Sequence, residues 1–101
     1  MKDIEITQLA EDSLKKIYCR YPDETAQRII ENILQKIDSL SALTDRGRIV
    51  EELKMLNQNH RFILEGSYKI IYFHKDDTVY VTDVFDTLRN PDLIVKRYRE
   101  Q

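Results

Sequence analysis

The hydrophobic period changes once along this chain, and that change limits the fold more than any other feature. From Ala10 to Leu40 apolar residues recur at spacings of three and four, the stripe of amphipathic helices. From about residue 48 to residue 86 they recur at every second position, as in strands that bury one face. Helices followed by strands imply segregated layers, an α+β arrangement, rather than alternating strand–helix units.

Within the first part, Ala10, Leu14, Ile17, Tyr18 and Tyr21 carry the stripe of one helix, with Thr7 placed to cap its start. Pro22 breaks the pattern, and Asp23 and Glu24 suit the positive end of a second helix whose stripe runs through Ala26, Ile29, Ile30, Ile33, Ile37 and Leu40. So short a break predicts an antiparallel hairpin of helices. Ahead of it, residues 3–6 (DIEI) read as a short strand. After it, strands are expected near 48–53, 60–65, 67–74 and 78–86, with "HKDDT" turning the last hairpin.

The expected architecture is therefore an N-terminal strand and helical hairpin packed on a twisted, mainly antiparallel sheet of four to five strands, with a short C-terminal helix. In residues 68–74, Tyr68, Ile70 and Tyr72 point one way and Lys69, Ile71 and Phe73 the other. The helical hairpin can cover only one of these faces. The face with Lys69 has only residues 91–99 to shield it, and its exposed remainder suggests a partner or substrate surface.

With 101 residues, two Gly, two Pro and no repeat or linker, residues 1–101 read as one domain large enough to hold a core without disulfides. Cys19 is the lone cysteine, and no apolar run reaches the length of a membrane span; with no signal-peptide pattern in MKDIEIT, the expectation is a cytoplasmic protein. The charge of −2 is spread evenly, with 8 basic and 9 acidic side chains in each of residues 1–50 and 51–101. Nucleic-acid-binding domains are usually basic. Any such contact here must be local, and residues 89–101, with Arg89, Lys96, Arg97 and Arg99, are the positive stretch. His60, His74 and Cys19 show no metal-ligand spacing, so no metal or cofactor is expected.

Three segments, "GRIVEEL" (47–53), "HRFILEGSYKIIYF" (60–73) and "VTDVFDTLRNP" (81–91), together resemble the RelE/ParE superfamily of bacterial toxins, and the order of elements agrees over nearly the whole chain. The resemblance implies the toxin of a type II toxin–antitoxin module, neutralised by a small cognate antitoxin. RelE-like members cleave messenger RNA on the ribosome without a metal; ParE-like members inhibit DNA gyrase. A degenerate toxin that only binds antitoxin is a third reading.

Metal-free RNA cleavage needs an activated 2′-hydroxyl, cations on the phosphate and a proton for the leaving oxygen. On the RelE-like reading Lys69 and Arg89 would clamp the phosphate, and Arg61 and His60 would assist as electrostatic support or base. Tyr98 and Arg97 would bind substrate; Tyr18, Tyr21, Ile71 and Phe73 would meet the antitoxin. "GRIVEEL" is more typical of ParE-like members, and Asp86-Thr87-Leu88 stand where many relatives carry a histidine before the arginine. Each cation also has a structural reading: Lys69 paired with Glu65 or Asp83, Arg89 with Asp86 or Asp92, and Arg48 with Glu51. Tyr18 and Tyr21 would then pack the helical hairpin, and the tail holding Tyr98 would be an amphipathic segment.

Overall fold

The structure is a computed structural model that describes residues 2–42 and 44–99. Strand β1 (Asp3–Ile6) leads into helices α1 (Gln8–Arg20) and α2 (Asp23–Asp38). After two short 3-10 turns come β2 (Arg48–Ile49), a 3-10 segment over Glu51–Leu56, β3 (Arg61–Glu65), β4 (Tyr68–Lys75), β5 (Thr78–Asp86) and α3 (Asp92–Arg99). The five strands form one sheet in the order β1-β5-β4-β3-β2. Three of the pairings are antiparallel, and β1 lies parallel to β5, Ile4 opposite Val79.

Local chemistry explains the helical hairpin. The Thr7 hydroxyl accepts from the Ala10 amide at 3.4 Å and caps α1, with Glu11 in its first turn. Pro22 sits at the cap position of α2 instead of inside its first turn, where it can be accommodated because no helical N–H is needed from it. The two helices lay Ala10, Ile17, Ile33 and Ile37 against Tyr68, Ile70, Tyr72, Val79, Val81 and Val84 of the sheet. Each fully buried aliphatic side chain of this kind contributes about 1.5–3 kcal/mol relative to exposure.

On the opposite face α3 and the 3-10 segment cover the sheet: Val50, Leu53, Ile71, Phe85 and Ile94 are buried together, with Phe62, Leu93 and Tyr98 packed around them. This corrects two expectations. Ile71 is fully buried beneath α3, so it has no surface to offer a partner. The strand expected over 48–53 ends at Ile49, because Val50 turns inward and the next six residues coil as a 3-10 helix that brings Leu53 into the core.

A register shift between Ile71 and Tyr72 pairs Ile71 with Asp83 but Tyr72 with Val81, which leaves Thr82 as the extra residue of a bulge in β5. Strict alternation would place Val81 and Asp83 on one face. With the bulge, Val81 and Val84 both join the core under the helical hairpin. Thr82 and Asp83 both reach the side chains of α3.

"GRI" owes its form to a close approach. A Cβ on Gly47 would lie 2.6 Å from the Tyr72 hydroxyl and 2.7 Å from the Phe62 carbonyl oxygen, so no larger residue fits. The Gly47 amide donates to the Tyr72 hydroxyl at 3.0 Å, and that hydroxyl donates to the Thr44 carbonyl at 2.7 Å. Tyr72 thereby bolts the 44–47 segment to the sheet and sets where β2 begins.

Candidate functional site

The four side chains expected to form a ribonuclease centre do not meet in one place: His60 and Arg61 lie on opposite faces of the sheet, and Lys69 and Arg89 fall at the other end of β4. His60 enters just before β3 and is buried, 2% exposed, between the edges of two rings, with centroids 5.1 Å from Phe73 and 5.4 Å from Tyr98. Burial holds its imidazole below the ordinary pKa, and so neutral near pH 7. Lys69 shares the Phe73 side of β4 but stands four residues along it, about 13 Å away at 3.3 Å per residue.

Arg61 pairs in register with Tyr72 and so shares the helical-hairpin face with it, opposite to Lys69. Its guanidinium donates to the Gly47 carbonyl at 2.7 Å and to the Asp45 carbonyl at 3.4 Å. Lys69 pairs with neither Glu65 nor Asp83; its Nζ rests 4.4 Å from the centre of the Phe62 ring, a cation–π contact. Arg89 is exposed in the turn after β5, its amide donating to the Asp86 carbonyl at 3.1 Å, and beside it Leu88 is 86% exposed. Among the described residues Arg89 forms no ion pair with Asp86 or Asp92, and Glu51 pairs with Lys54 at 2.6 Å rather than with Arg48.

The two residues expected to bind substrate are fasteners of α3. Arg97 donates to Asp83 Oδ1 at 3.0 Å and to the Ser13 hydroxyl, which itself donates to the same carboxylate oxygen at 2.6 Å. The Val84 amide adds a third bond at 2.7 Å, while Oδ2 has no partner among the described residues. Asp83 is fully buried, and desolvation raises its pKa even though Ser13, Arg97 and Val84 all pull it down. The Tyr98 hydroxyl is hydrogen-bonded to Thr82, and burial pushes its pKa well above the tyrosine range. In this position the hydroxyl ties α3 to β5.

The partner-facing candidates fare differently. Tyr18 is 39% exposed on α1, with Leu34 at 41% on α2. Tyr21 is half-buried, its hydroxyl 3.2 Å from that of Tyr68. Tyr21 and Tyr68 line a notch of about 250 Å³ with Ile29, Ile33 and the β3–β4 turn. Phe73 is half-buried and stacked on Tyr80, with ring centroids 5.1 Å apart.

One feature had no signal in the sequence. Lys36 of α2, Arg46 and Arg48 meet beside Phe62 and Leu64 around an open groove of about 390 Å³ at the β2 edge, with no carboxylate in its lining. Three elements contribute those cations, α2, the 3-10 turn that ends at Arg46, and β2. Among the described residues no group of three metal-ligating side chains occurs, and no helix is long and apolar enough to cross a membrane.

The family model described as "ParE toxin of type II toxin-antitoxin system, parDE" matches residues 4–91. A solved structure titled "Chromosomal ParDE TA system from P. aeruginosa" matches with a TM-score of 0.70 and 17% identity, over 85% of this chain and 96% of that one. At that identity the likeness is one of fold. No curated protein matches the chain.

Proposed function

This chain belongs to the family of ParE toxins of type II toxin–antitoxin systems, and from that premise we propose that it arrests growth as a non-enzymatic inhibitor of DNA gyrase, held in check by a small antitoxin. The observation that carries the choice of target is the dispersal of the expected catalytic groups. Metal-free cleavage of RNA needs a base and phosphate-facing cations within about 3 Å of the reacting atoms. Here His60 is shut between aromatic rings, Arg61 is spent on a backbone carbonyl on the other face, and Lys69 and Arg89 stand at the far end of β4. Inhibition by binding asks only for a surface.

The antitoxin's contact falls on the helical hairpin, where Tyr18 and Leu34 are exposed, and on the notch between α2 and the β3–β4 turn beside Tyr21, which would seat an apolar side chain. The test is to induce the chain without antitoxin and map RNA 5′ ends, in parallel with the double variant Lys69→Ala, Arg89→Ala. Arrest without new ends, by parent and variant alike, is the expected result. New ends inside translated codons that vanish in the variant would restore the ribonuclease reading, and no arrest at all would leave a protein that only binds antitoxin.

A further inference from the structure

Two hollows continue the notch beside Tyr21 along the flank of the molecule. The notch shares Asn32 and Glu65 with a hollow of about 300 Å³, and that one shares Lys36 and Arg46 with the cationic groove of about 390 Å³. Together they make one trough between α2 and β3 that ends at Arg48. From Glu65 to Phe62 it follows β3 for three residue steps, about 10 Å at 3.3 Å per residue.

The sheet edge along this trough is open. The Val50 amide donates to the His60 carbonyl at 2.8 Å, so His60, and with it every second residue, Phe62 and Leu64, turns its backbone groups toward the β2 side. β2 begins with Arg48 opposite Phe62. Among the described residues no strand lies opposite Leu64 on that side, and no backbone group bonds its amide or carbonyl there. The Leu64 side chain is 53% exposed. A strand edge with free N–H and C=O groups is a template for another strand.

Charge narrows what that strand is. Arg48 shares the α3 face of the sheet with Phe62, its partner in register, whereas Lys36 reaches the trough from α2 on the other face. Arg46 lines both hollows, its guanidinium donating to the Ser39 hydroxyl at 2.7 Å. Among the described residues none of these three cations forms an ion pair, and Glu65 is the one carboxylate lining the two hollows. Neighbours in a strand point to opposite faces, so two consecutive acidic residues opposite Leu64 would meet Lys36 on one face and Arg48 on the other. A second copy of this chain would set the same three cations against these. A helix bonds its own backbone and would leave the Leu64 edge open, and duplex DNA would use the cations alone and set phosphates against Leu64. We infer that the antitoxin, on leaving the notch, continues as an extended acidic segment that adds a strand to β3 beyond β2. This rests on the placement of the antitoxin at the hairpin and notch, and not on the gyrase target.

Amide hydrogen exchange of the full ¹⁵N-labelled chain would be read free, with intact antitoxin, with short overlapping peptides that cover the antitoxin, and with a short DNA duplex. The Leu64 amide should exchange quickly in the free chain and be protected at least about tenfold by the antitoxin. One acidic peptide alone should reproduce that protection. The chain with Lys36→Gln and Arg48→Gln should bind antitoxin about tenfold more weakly at low salt, with a smaller loss as salt rises. Leu64→Pro removes the outward N–H, a change an edge strand tolerates, and should weaken binding more than Leu64→Ala does. Tyr18→Ala with Leu34→Ala checks the hairpin placement separately. Weaker binding in that variant beside an unprotected Leu64 amide would overturn the added strand and keep the hairpin contact; the reverse pattern would keep the strand and refute the hairpin. Full affinity in the double-glutamine chain, or equal protection of Leu64 by the duplex, would also overturn the added strand.

Discussion

Arg97→Met takes the cation from a carboxylate that water cannot reach. Asp83 is fully buried, whereas the Arg97 side chain is 20% exposed, so the variant leaves a charge in the core with only the Ser13 hydroxyl and the Val84 amide on Oδ1. Removing one partner of a buried pair costs about 3–5 kcal/mol, and the partial exposure of Arg97 argues for the low end, about 3 kcal/mol. Against a total stability of roughly 5–15 kcal/mol that is a large loss. The sign of its pH dependence is fixed as well. Burial raises the Asp83 pKa above its unfolded value near about 3.9, so the folded chain holds the proton more tightly. The stability this lends is full below the unfolded pKa and is lost as pH rises through the folded one. Arg97 opposes the shift, so in Arg97→Met the folded pKa climbs further. The deficit should be greatest near pH 7 and shrink as acid neutralises the carboxyl. Urea unfolding of parent and variant at about pH 7 and about pH 4.5 measures both. A deficit under about 0.5 kcal/mol at neutral pH, or one that grows in acid, would refute the argument.

Gly47→Ala should destabilise by about 2 kcal/mol, since the new methyl meets a backbone carbonyl at 2.7 Å that cannot move aside; a variant melting with the parent would contradict it. Thr7→Ala should lose about 1 kcal/mol of stability, which Thr7→Ser largely restores, as read by thermal unfolding. Burial and the Tyr21 hydroxyl push Tyr68 up to about 12, so it should stay protonated near pH 11 in a spectrophotometric titration while exposed tyrosines ionise. Its share of stability is fully present below about pH 10 and is lost as pH rises through the folded value of about 12. Tyrosines titrating together near 10 would rule this out.

How far the sequence revealed the fold depended on whether a contact was local. The helical hairpin and the β4–β5 hairpin follow from the spacing of Ile33, Ile37, Ile70 and Tyr72 and from the turn at Asp76 and Asp77. The parallel pairing of β1 with β5 joins residues some 75 positions apart and has no local signature. The Thr82 bulge adds one residue to a period of two, and "VTDVF" reads as plain alternation without it. For the candidate site, the residue types gave a fair list of cations and tyrosines but not their company. Ser13, Asp83 and Arg97 come from three elements, so neither the buried cluster nor the role of Arg97 and Tyr98 as anchors of α3 could be read in advance. His60 looked like a base in "HRF" because nothing nearby in sequence announces Phe73 and Tyr98 around it.

The most direct test of the central claim uses purified components: DNA gyrase, relaxed plasmid and ATP, with the full chain added alone or after mixing with its antitoxin. The account predicts loss of supercoiling with the chain alone and recovery once the antitoxin is bound. Undiminished supercoiling at a large excess of the chain, under conditions where it still arrests growth in cells, would contradict it.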